Sequence, residues 1–361
     1  MDDIVLNSSA SSISVEDDHE QYNHVLMPSI YGVICCLGTI GNCLVIYTIV
    51  KKTKCCSNQT VPDIFFFSLS IADLLFLLGM PFLIHQLIGN GSWCFGAIMC
   101  TVITGLDSNS QTVSTYILTV MTLDRYLATV HPIRFKGMRT PRMAGAAVAL
   151  VWAFSLISIT PVWMYTGLMQ LKDGAVGCAL LLPNPATGTY WFTIYQFFSA
   201  FALPLVVICG VYVQILQNMS TSVAPLPPRS LRVRTRKVTR MAVAICLAFF
   251  ICWAPYYILQ LAHLGVQQPS FAFRYVYNIA ISMGYANSCI NPLIYIVLSE
   301  TFKRQFNIAV RPPHRLFKVA PTLDEDGMVL KMPQNAFPLS QSRSPRFGPL
   351  LHNMPVSEAE H

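Results

Sequence analysis

The chain has 361 residues, 53% of them hydrophobic and only 11% charged, with a net charge of +7. Soluble domains are about a quarter charged, so this composition excludes a protein dissolved mainly in water. The 12 cysteines do not make it a stapled secreted domain. All but Cys94, Cys100 and Cys178 lie within apolar runs or beside Lys51, Lys52 and Lys54, where they read as small buried hydrophobes or free thiols.

Residues 1–24 hold Asp2, Asp3, Glu16, Asp17, Asp18 and Glu20, no Lys or Arg, and no short apolar core before a cleavage site. They are not a signal peptide, and the first membrane helix is expected to insert uncleaved behind an acidic tail. Seven apolar runs follow, at 26–50, 61–88, 97–126, 143–165, 190–217, 236–264 and 273–298. Each reaches the roughly 20 residues that a helix needs to cross a hydrocarbon core of about 30 Å. The expected fold is an all-α membrane protein, a seven-transmembrane helix bundle over 25–299.

The connections after spans 1, 3 and 5 are basic, with Lys51, Lys52 and Lys54, then Arg134, Lys136, Arg139 and Arg142, then Arg229, Arg232, Arg234, Arg236, Lys237 and Arg240. The opposite connections offer only Lys172 and Arg274. The positive-inside bias places the basic loops in the cytoplasm, the N-terminus outside and the C-terminus inside. The sequon Asn7-Ser8-Ser9 is then an outward glycosylation site. Asn90-Gly91-Ser92 faces out too but lies close to the membrane, while Asn58-Gln59-Thr60 and Asn218-Met219-Ser220 are chance matches on the cytoplasmic side. Residues 300–310 alternate Phe302, Phe306 and Ile308 with Lys303 and Arg304, as expected of a short amphipathic helix lying on membrane lipid. The Pro-rich remainder, 311–361, reads as a disordered cytoplasmic tail.

Polar groups inside a membrane are costly and therefore candidates for function. Asp73 stands within span 2, Ser114 within span 3, and Asn287, Ser288 and Asn291 share one face of span 7. Hard oxygen ligands of that kind suit a small cation, although a neutral carboxyl kept for packing also fits Asp73. Asp107 lies near the outer end of span 3, with Gln111 one turn deeper on the same face, and no Lys or Arg stands at matching depth in the other spans. It reads as the partner of a cation arriving from outside, or as an acid tied to Tyr285 of span 7; a tyrosine can hold the acid until a ligand arrives. Trp253, Tyr256, Tyr257 and Gln260 follow helical spacing on span 6, and Gln196 sits among aromatics on span 5. Aromatic walls with a few polar groups are the usual make-up of a ligand pocket, and a helical aromatic stripe is also ordinary packing.

Cys100 and Cys178 are both outward-facing and can form a disulfide; closing so long a loop contributes about 4–5 kcal/mol in the chain-entropy account. Counting alone leaves Cys94 with Cys178 as an open alternative. At the inner end of span 3, Asp124-Arg125-Tyr126 puts an arginine at membrane depth beside an acid that neutralises it, and a snorkelling interfacial arginine fits the same triplet. Pro81, Pro161, Pro204, Pro255 and Pro292 interrupt the spans, and each frees a carbonyl and offers a bend. A channel or transporter would more often show internal repeats with paired broken helices, and a membrane enzyme would need a nucleophile or metal cluster, whereas His24, His85 and His263 are scattered. The reading is therefore not an enzyme, with no organic cofactor and no nucleic-acid partner.

Asp124-Arg125-Tyr126, Cys252-Trp253-Ala254-Pro255 and Asn291-Pro292-Leu293-Ile294-Tyr295, with Asn42, Asp73, Trp152 and Pro204, fall in the order and spans of the rhodopsin-like G protein-coupled receptors. The resemblance covers about 25–310. It implies that Arg125 is held by Asp124 and released toward a heterotrimeric G protein, with Tyr212 and Tyr295 closing in. It also implies Trp253 as pivot, an allosteric sodium ion on Asp73, Ser114, Asn287 and Asn291, a Cys100–Cys178 disulfide, and arrestin and receptor kinases as partners. Two departures stand out: Thr235 occupies a position where the family often has an acid that locks the arginine, and Thr115 replaces an aliphatic residue near Pro204 and Phe249. No cysteine follows Cys289, so the common palmitoyl anchor is missing.

Gly79-Met80-Pro81-Phe82-Leu83-Ile84-His85-Gln86-Leu87, Asp173-Gly174-Ala175-Val176-Gly177-Cys178, Ser158-Ile159-Thr160-Pro161-Val162-Trp163 and Ala254-Pro255-Tyr256-Tyr257-Ile258-Leu259-Gln260-Leu261 are similar to the melanin-concentrating hormone receptors, their type 1 branch above all. Thr60-Val61-Pro62-Asp63-Ile64 is shared with somatostatin and opioid receptors. This resemblance implies a disulfide-cyclised peptide ligand whose arginine pairs with Asp107, within a site that includes Gln111, Gln196, Tyr256, Tyr257, Gln260 and Tyr285. It also implies coupling to inhibitory and phospholipase-linked G proteins.

Overall fold

A computed structural model of the chain describes residues 25–56, 59–89, 91–135, 137–171, 174–221, 229–266, 270–298 and Lys303. Seven long helical spans run through them, joined by short connections. Span 1 is Met27–Cys56 and span 2 Val61–Ile88, span 2 opening with a capping box between Thr60 and Asp63 and a proline in its first turn. Span 3 is Gly96–Thr129, span 6 Arg229–His263 and span 7 Phe271–Leu298. Span 1 runs on past Val50, and span 6 begins before residue 236. An apolar run marks only where lipid contact begins, and charged residues do not stop a helix.

Spans 4 and 5 are interrupted. Span 4 divides into Pro141–Ser158 and Thr160–Tyr165, because Pro161 has no N–H to continue the ladder. Span 5 is built from Pro185–Phe197, a π-helical turn at Phe198–Ala202 and Leu203–Thr221; the wider turn falls just before Pro204. Pro81, Pro255 and Pro292 lie inside unbroken helices.

Among the described residues, six helices are long and apolar enough to cross a membrane. Span 3 is too polar to count with them. It packs against spans 2, 4, 5 and 6, and it buries Asn109, Ser110, Gln111, Thr112, Ser114, Thr115 and Thr122. Thr112, Thr115 and Thr122 each return their hydroxyl to the carbonyl four residues back, at 2.8–3.1 Å. A helix that faces other helices rather than lipid can carry this polarity, provided each group finds a partner.

The connection after span 4 forms a hairpin of β1 (Thr166–Gln170) and β2 (Val176–Leu180), paired antiparallel with Leu168 opposite Cys178. Gly174, in its turn, has a φ of 77°, which favours glycine. The hairpin is pinned to the connection between spans 2 and 3 by a Ser92–Gly177 bridge and by the Trp93 N–H donating to the Val176 carbonyl at 2.6 Å. It marks one end of the bundle, here the hairpin end; Arg125 marks the other. The proposed amphipathic helix at 300–310 and the tail lie outside the described residues, apart from Lys303, and so does Asn7.

Candidate functional site

Three polar layers descend along span 3. Nearest the hairpin, Asp107 is half-buried and accepts a hydrogen bond from the Tyr285 hydroxyl of span 7 at 3.0 Å. No ion pair reaches Asp107 or Asp73 among the described residues, whereas Asp63 pairs with Lys52, and Asp124 with Arg125 and Arg139. Of the two sequence readings of Asp107, the tie to Tyr285 is present in the structure.

The walls around this layer are aromatic. Tyr285 stacks on Phe76 at 4.6 Å and meets Tyr31 edge-on at 5.3 Å. Tyr256 lies 5.7 Å from Trp253 and 5.9 Å from Tyr277. Gln260 donates to the Gln196 side chain at 3.2 Å, joining spans 6 and 5, and its own buried Oε1 has no hydrogen-bond partner among the described residues. The structure therefore brings these predicted ligand residues together in pairs: Asp107 with Tyr285, and Gln196 with Gln260.

One turn deeper, Gln111 donates from Nε2 to the Tyr257 hydroxyl at 2.8 Å. Tyr257 is fully buried and packs on Phe201 at 4.8 Å and Trp253 at 6.5 Å. Gly284 of span 7 leaves the room that Trp253 occupies: a Cβ there would come within 2.9–3.0 Å of the indole ring.

The third layer surrounds Asp73, which is 3% exposed. Its Oδ1 accepts from the Ser288 hydroxyl at 3.0 Å and its Oδ2 from Asn291 Nδ2 at 2.9 Å. A small cavity, with space for about one water-sized ligand, is lined by Asp73, Ser110, Gln111, Ser114, Asn287 and Ser288, together with Phe76, Phe249 and Trp253. Asn287 Oδ1, Asn291 Oδ1 and Ser110 Oγ are buried without hydrogen-bond partners among the described residues. A carboxylate with orphaned oxygens around a small cavity is a donor set that fits a small hard cation, which sulfur or nitrogen ligands would not. Asn42 braces the layer, donating from Nδ2 to the Ser288 carbonyl at 2.9 Å.

At the far end, Arg125 is 3% exposed and pairs with Asp124. Arg139, in the connection after span 3, also donates to Asp124, from Nε to Oδ1 at 2.8 Å and from an Nη to Oδ2 at 3.3 Å. Sequence reasoning used Arg139 only as a marker of loop charge; its role depends on how the loop folds back. Tyr126 is half-buried and meets His131 edge-on at 5.7 Å. The Tyr212 hydroxyl is buried beside Thr122 and Cys246, the Tyr295 hydroxyl is buried without a hydrogen-bond partner among the described residues, and the Tyr295 ring packs on Phe66 at 4.5 Å. Pro292 is buried against Gly41 of span 1, where a Cβ would come within 2.9 Å of its ring.

Cys100 and Cys178 are joined in a disulfide spanning 78 residues, with Cα atoms 5.6 Å apart. This resolves the pairing. Cys94 is exposed and free, its Sγ 3.7 Å from His85 Nε2.

Residues 41–295 match the family model of the 7 transmembrane receptors (rhodopsin family), so the chain belongs to that family and is a G protein-coupled receptor, a multi-pass protein of the plasma membrane rather than an enzyme. The finer relationship is equally plain. The chain is 58% identical over 311 residues to melanin-concentrating hormone receptor 1 of Rattus norvegicus, an overlap of 84% of this chain and 88% of that protein. Identity to the Homo sapiens protein of that name is 58% over 309 residues, again 84% and 88%. It falls to 38% over 290 residues for melanin-concentrating hormone receptor 2 of Homo sapiens, 78% of this chain and 83% of that protein. Within the rhodopsin family, the chain belongs with the melanin-concentrating hormone receptors.

Proposed function

We propose that this receptor binds melanin-concentrating hormone, a disulfide-cyclised peptide, and that an arginine of the peptide pairs with Asp107. The observation that carries this reading is a half-buried carboxylate in the hairpin-end half of the bundle, with Tyr285 as its hydrogen-bond donor and no cation beside it among the described residues. Leaving such a charge unpaired is costly, and a guanidinium supplies both charge and a fork of donors. Gln111, Gln196, Gln260, Tyr256, Tyr257 and Tyr285 form the rest of the proposed site. The relatives' shared name supports the choice of peptide, and the Gln196–Gln260 pair supplies amides suited to a peptide backbone.

The hairpin end faces outward in this reading, with Asn7 glycosylated and the N-terminus outside. The Arg125 end faces the cytoplasm, where loop charge puts it. Ligand arrival draws Tyr285 from Asp107 and moves the aromatic stack beneath; Trp253 turns, Pro255 and Pro292 bend their helices, and Arg125 leaves Asp124. The buried hydroxyls of Tyr212 and Tyr295 then close in to meet it. Inhibitory and phospholipase-linked G proteins, arrestin and receptor kinases are the partners. Asp73, Ser114, Asn287 and Asn291 hold an allosteric sodium ion, which supplies a positive charge to the buried carboxylate.

Nucleotide exchange on a purified heterotrimer, with full-length receptor and a peptide panel, tests the reading. Melanin-concentrating hormone is expected to stimulate exchange, and somatostatin and opioid peptides are expected not to. Stimulation by one of those peptides and not by the hormone would move the receptor to that branch. Silence to all of them, with ion flux in liposomes instead, would overturn it.

A further inference from the structure

Cys94 has no part in the peptide or cation readings, and it is not a core thiol. It is exposed and free in the connection between spans 2 and 3, and its Sγ lies 3.7 Å from Nε2 of His85, an exposed side chain in the last turn of span 2. Both residues are held by rigid neighbours. Trp93, beside Cys94, is buried; its indole N–H donates to the Gly96 carbonyl at 2.9 Å and its backbone N–H to the Val176 carbonyl of the hairpin at 2.6 Å. Gly96 has a φ of 80°, which turns the chain into span 3. The His85 ring meets Phe95 edge-on at 4.9 Å, and Phe95 packs on Phe82 at 5.0 Å and on Trp93 at 5.1 Å. A thiol and an imidazole thus face one another from two fixed elements.

We propose that Cys94 and His85 form a two-ligand site for a divalent cation of borderline softness, zinc above all. A tetrahedral zinc ion about 2.3 Å from sulfur and about 2.0–2.1 Å from nitrogen puts those two ligands about 3.5–3.6 Å apart. The observed 3.7 Å agrees with that to within the tolerance of about 0.2 Å that a metal site allows, so the ion enters with almost no movement of either element. The same separation suits a weak S–H···N hydrogen bond, and the ion takes the place of its proton. Cys94 gives up the thiol proton to solvent and binds as thiolate, His85 binds through the lone pair of neutral Nε2, and no electrons are transferred. Sulfur with imidazole selects zinc or cadmium over magnesium and calcium, which prefer oxygen. No third His, Cys, Asp or Glu joins the pair among the described residues, so two coordination positions are left for water or for a donor from outside. Half the ligand set of a structural zinc site places the affinity in the micromolar range, well short of a structural ion.

The ion joins the last turn of span 2 to the connection that carries Trp93. Gln86, next to His85, already donates to the carbonyls of Gly91 and Cys178, each at 3.5 Å, so a bound ion tightens the contact between span 2, this connection and the hairpin. In the proposed orientation it arrives from outside the cell, although the site itself depends neither on that orientation nor on the hormone. Full-length receptor in lipid nanodiscs is treated with a maleimide in chelator and in rising zinc chloride. Alkylation of Cys94 is followed by peptide mass mapping, which separates it from the other thiols. Only the metal-free fraction of the thiol reacts, so zinc at about ten times its dissociation constant slows labelling about tenfold. Half-protection is expected at micromolar zinc, with cadmium acting as zinc does and magnesium giving none. Zinc is also expected to raise the melting temperature, because it binds the folded arrangement of the two ligands.

His85→Ala keeps the thiol and removes the second ligand, and His85→Gln does so while keeping a polar side chain. In both, Cys94 is expected to be labelled as fast in zinc as in chelator, and the zinc-induced rise in melting temperature is expected to disappear. Equal labelling of Cys94 in zinc and in chelator in the unsubstituted receptor overturns the site, as does half-protection reached only at millimolar zinc. Zinc protection that survives unchanged in both His85 variants overturns the pairing. The hormone is absent throughout, so a failure of the peptide reading leaves each of these outcomes as it stands.

Discussion

Arg139 and Asp124 are joined by two hydrogen bonds, at 2.8 and 3.3 Å, so the carboxylate beside Arg125 is shared between two guanidinium groups. Asp124 is 8% exposed at its side chain and Arg139 27%. Sharing loosens the hold on Arg125, because Arg139 satisfies one side of the carboxylate and repels the neighbouring cation. Arg139→Gln leaves Asp124 to Arg125 alone. Agonist-stimulated nucleotide exchange is expected to fall by up to about fivefold, the effect of a partly exposed interaction of about 1 kcal/mol. Unchanged or increased exchange at matched expression would assign Arg139 a different part.

Arg125→Ala removes the cation expected to meet the G protein but leaves the hairpin-end site untouched. Peptide binding should persist within a few-fold, with exchange reduced to the background of receptor-free membranes. Full signalling by this variant would contradict the switch.

The disulfide has a definite register. Cys178 sits opposite Leu168 in the hairpin, close enough to span 3 for Cys100 and not for Cys94, which turns toward His85. Cys100→Ser or Cys178→Ser is expected to lose about 2–5 kcal/mol of stability and most surface expression. Cys94→Ser is expected to change neither. Peptide mapping under non-reducing conditions checks the pairing directly.

Gly105 faces the indole of Trp163 so closely that an added Cβ would overlap the ring. Gly105→Ala should cost about 1–3 kcal/mol by overpacking, read as a lower melting temperature with no change in the specificity of binding.

Much of this was legible in the sequence, and the reasons differ by element. The number of spans followed from apolar runs and alternating loop charge, because lipid forces the backbone to satisfy itself within a helix. Span 3 read as an apolar run like the others, yet it is too polar to count among the most apolar helices, and its polarity makes sense only once four neighbouring spans pack against it. Asp73, Asp107 and Arg125 stood out because a charge at membrane depth is conspicuous. Their partners were harder to read. The Tyr285–Asp107 bond was expected as one of two readings, but the Gln111–Tyr257 and Gln196–Gln260 pairs join helices far apart in the chain, and nothing in local spacing specifies them. Arg139 was hidden for the same reason, since its loop must fold back before it meets Asp124. The hairpin was not expected at all: its strands are five residues each, too short for a periodic signal.

The central claim is that Asp107 receives the cation of a peptide. Asp107→Asn keeps the size and the hydrogen-bonding capacity toward Tyr285 and removes only the charge. With surface expression matched, the potency of melanin-concentrating hormone in G protein activation is expected to fall by about 100-fold or more, as when one partner of a buried charged pair is truncated. A hormone analogue whose arginine is replaced by a neutral isostere should be equally weak on both receptors. Unchanged potency of the native hormone on Asp107→Asn would contradict the account.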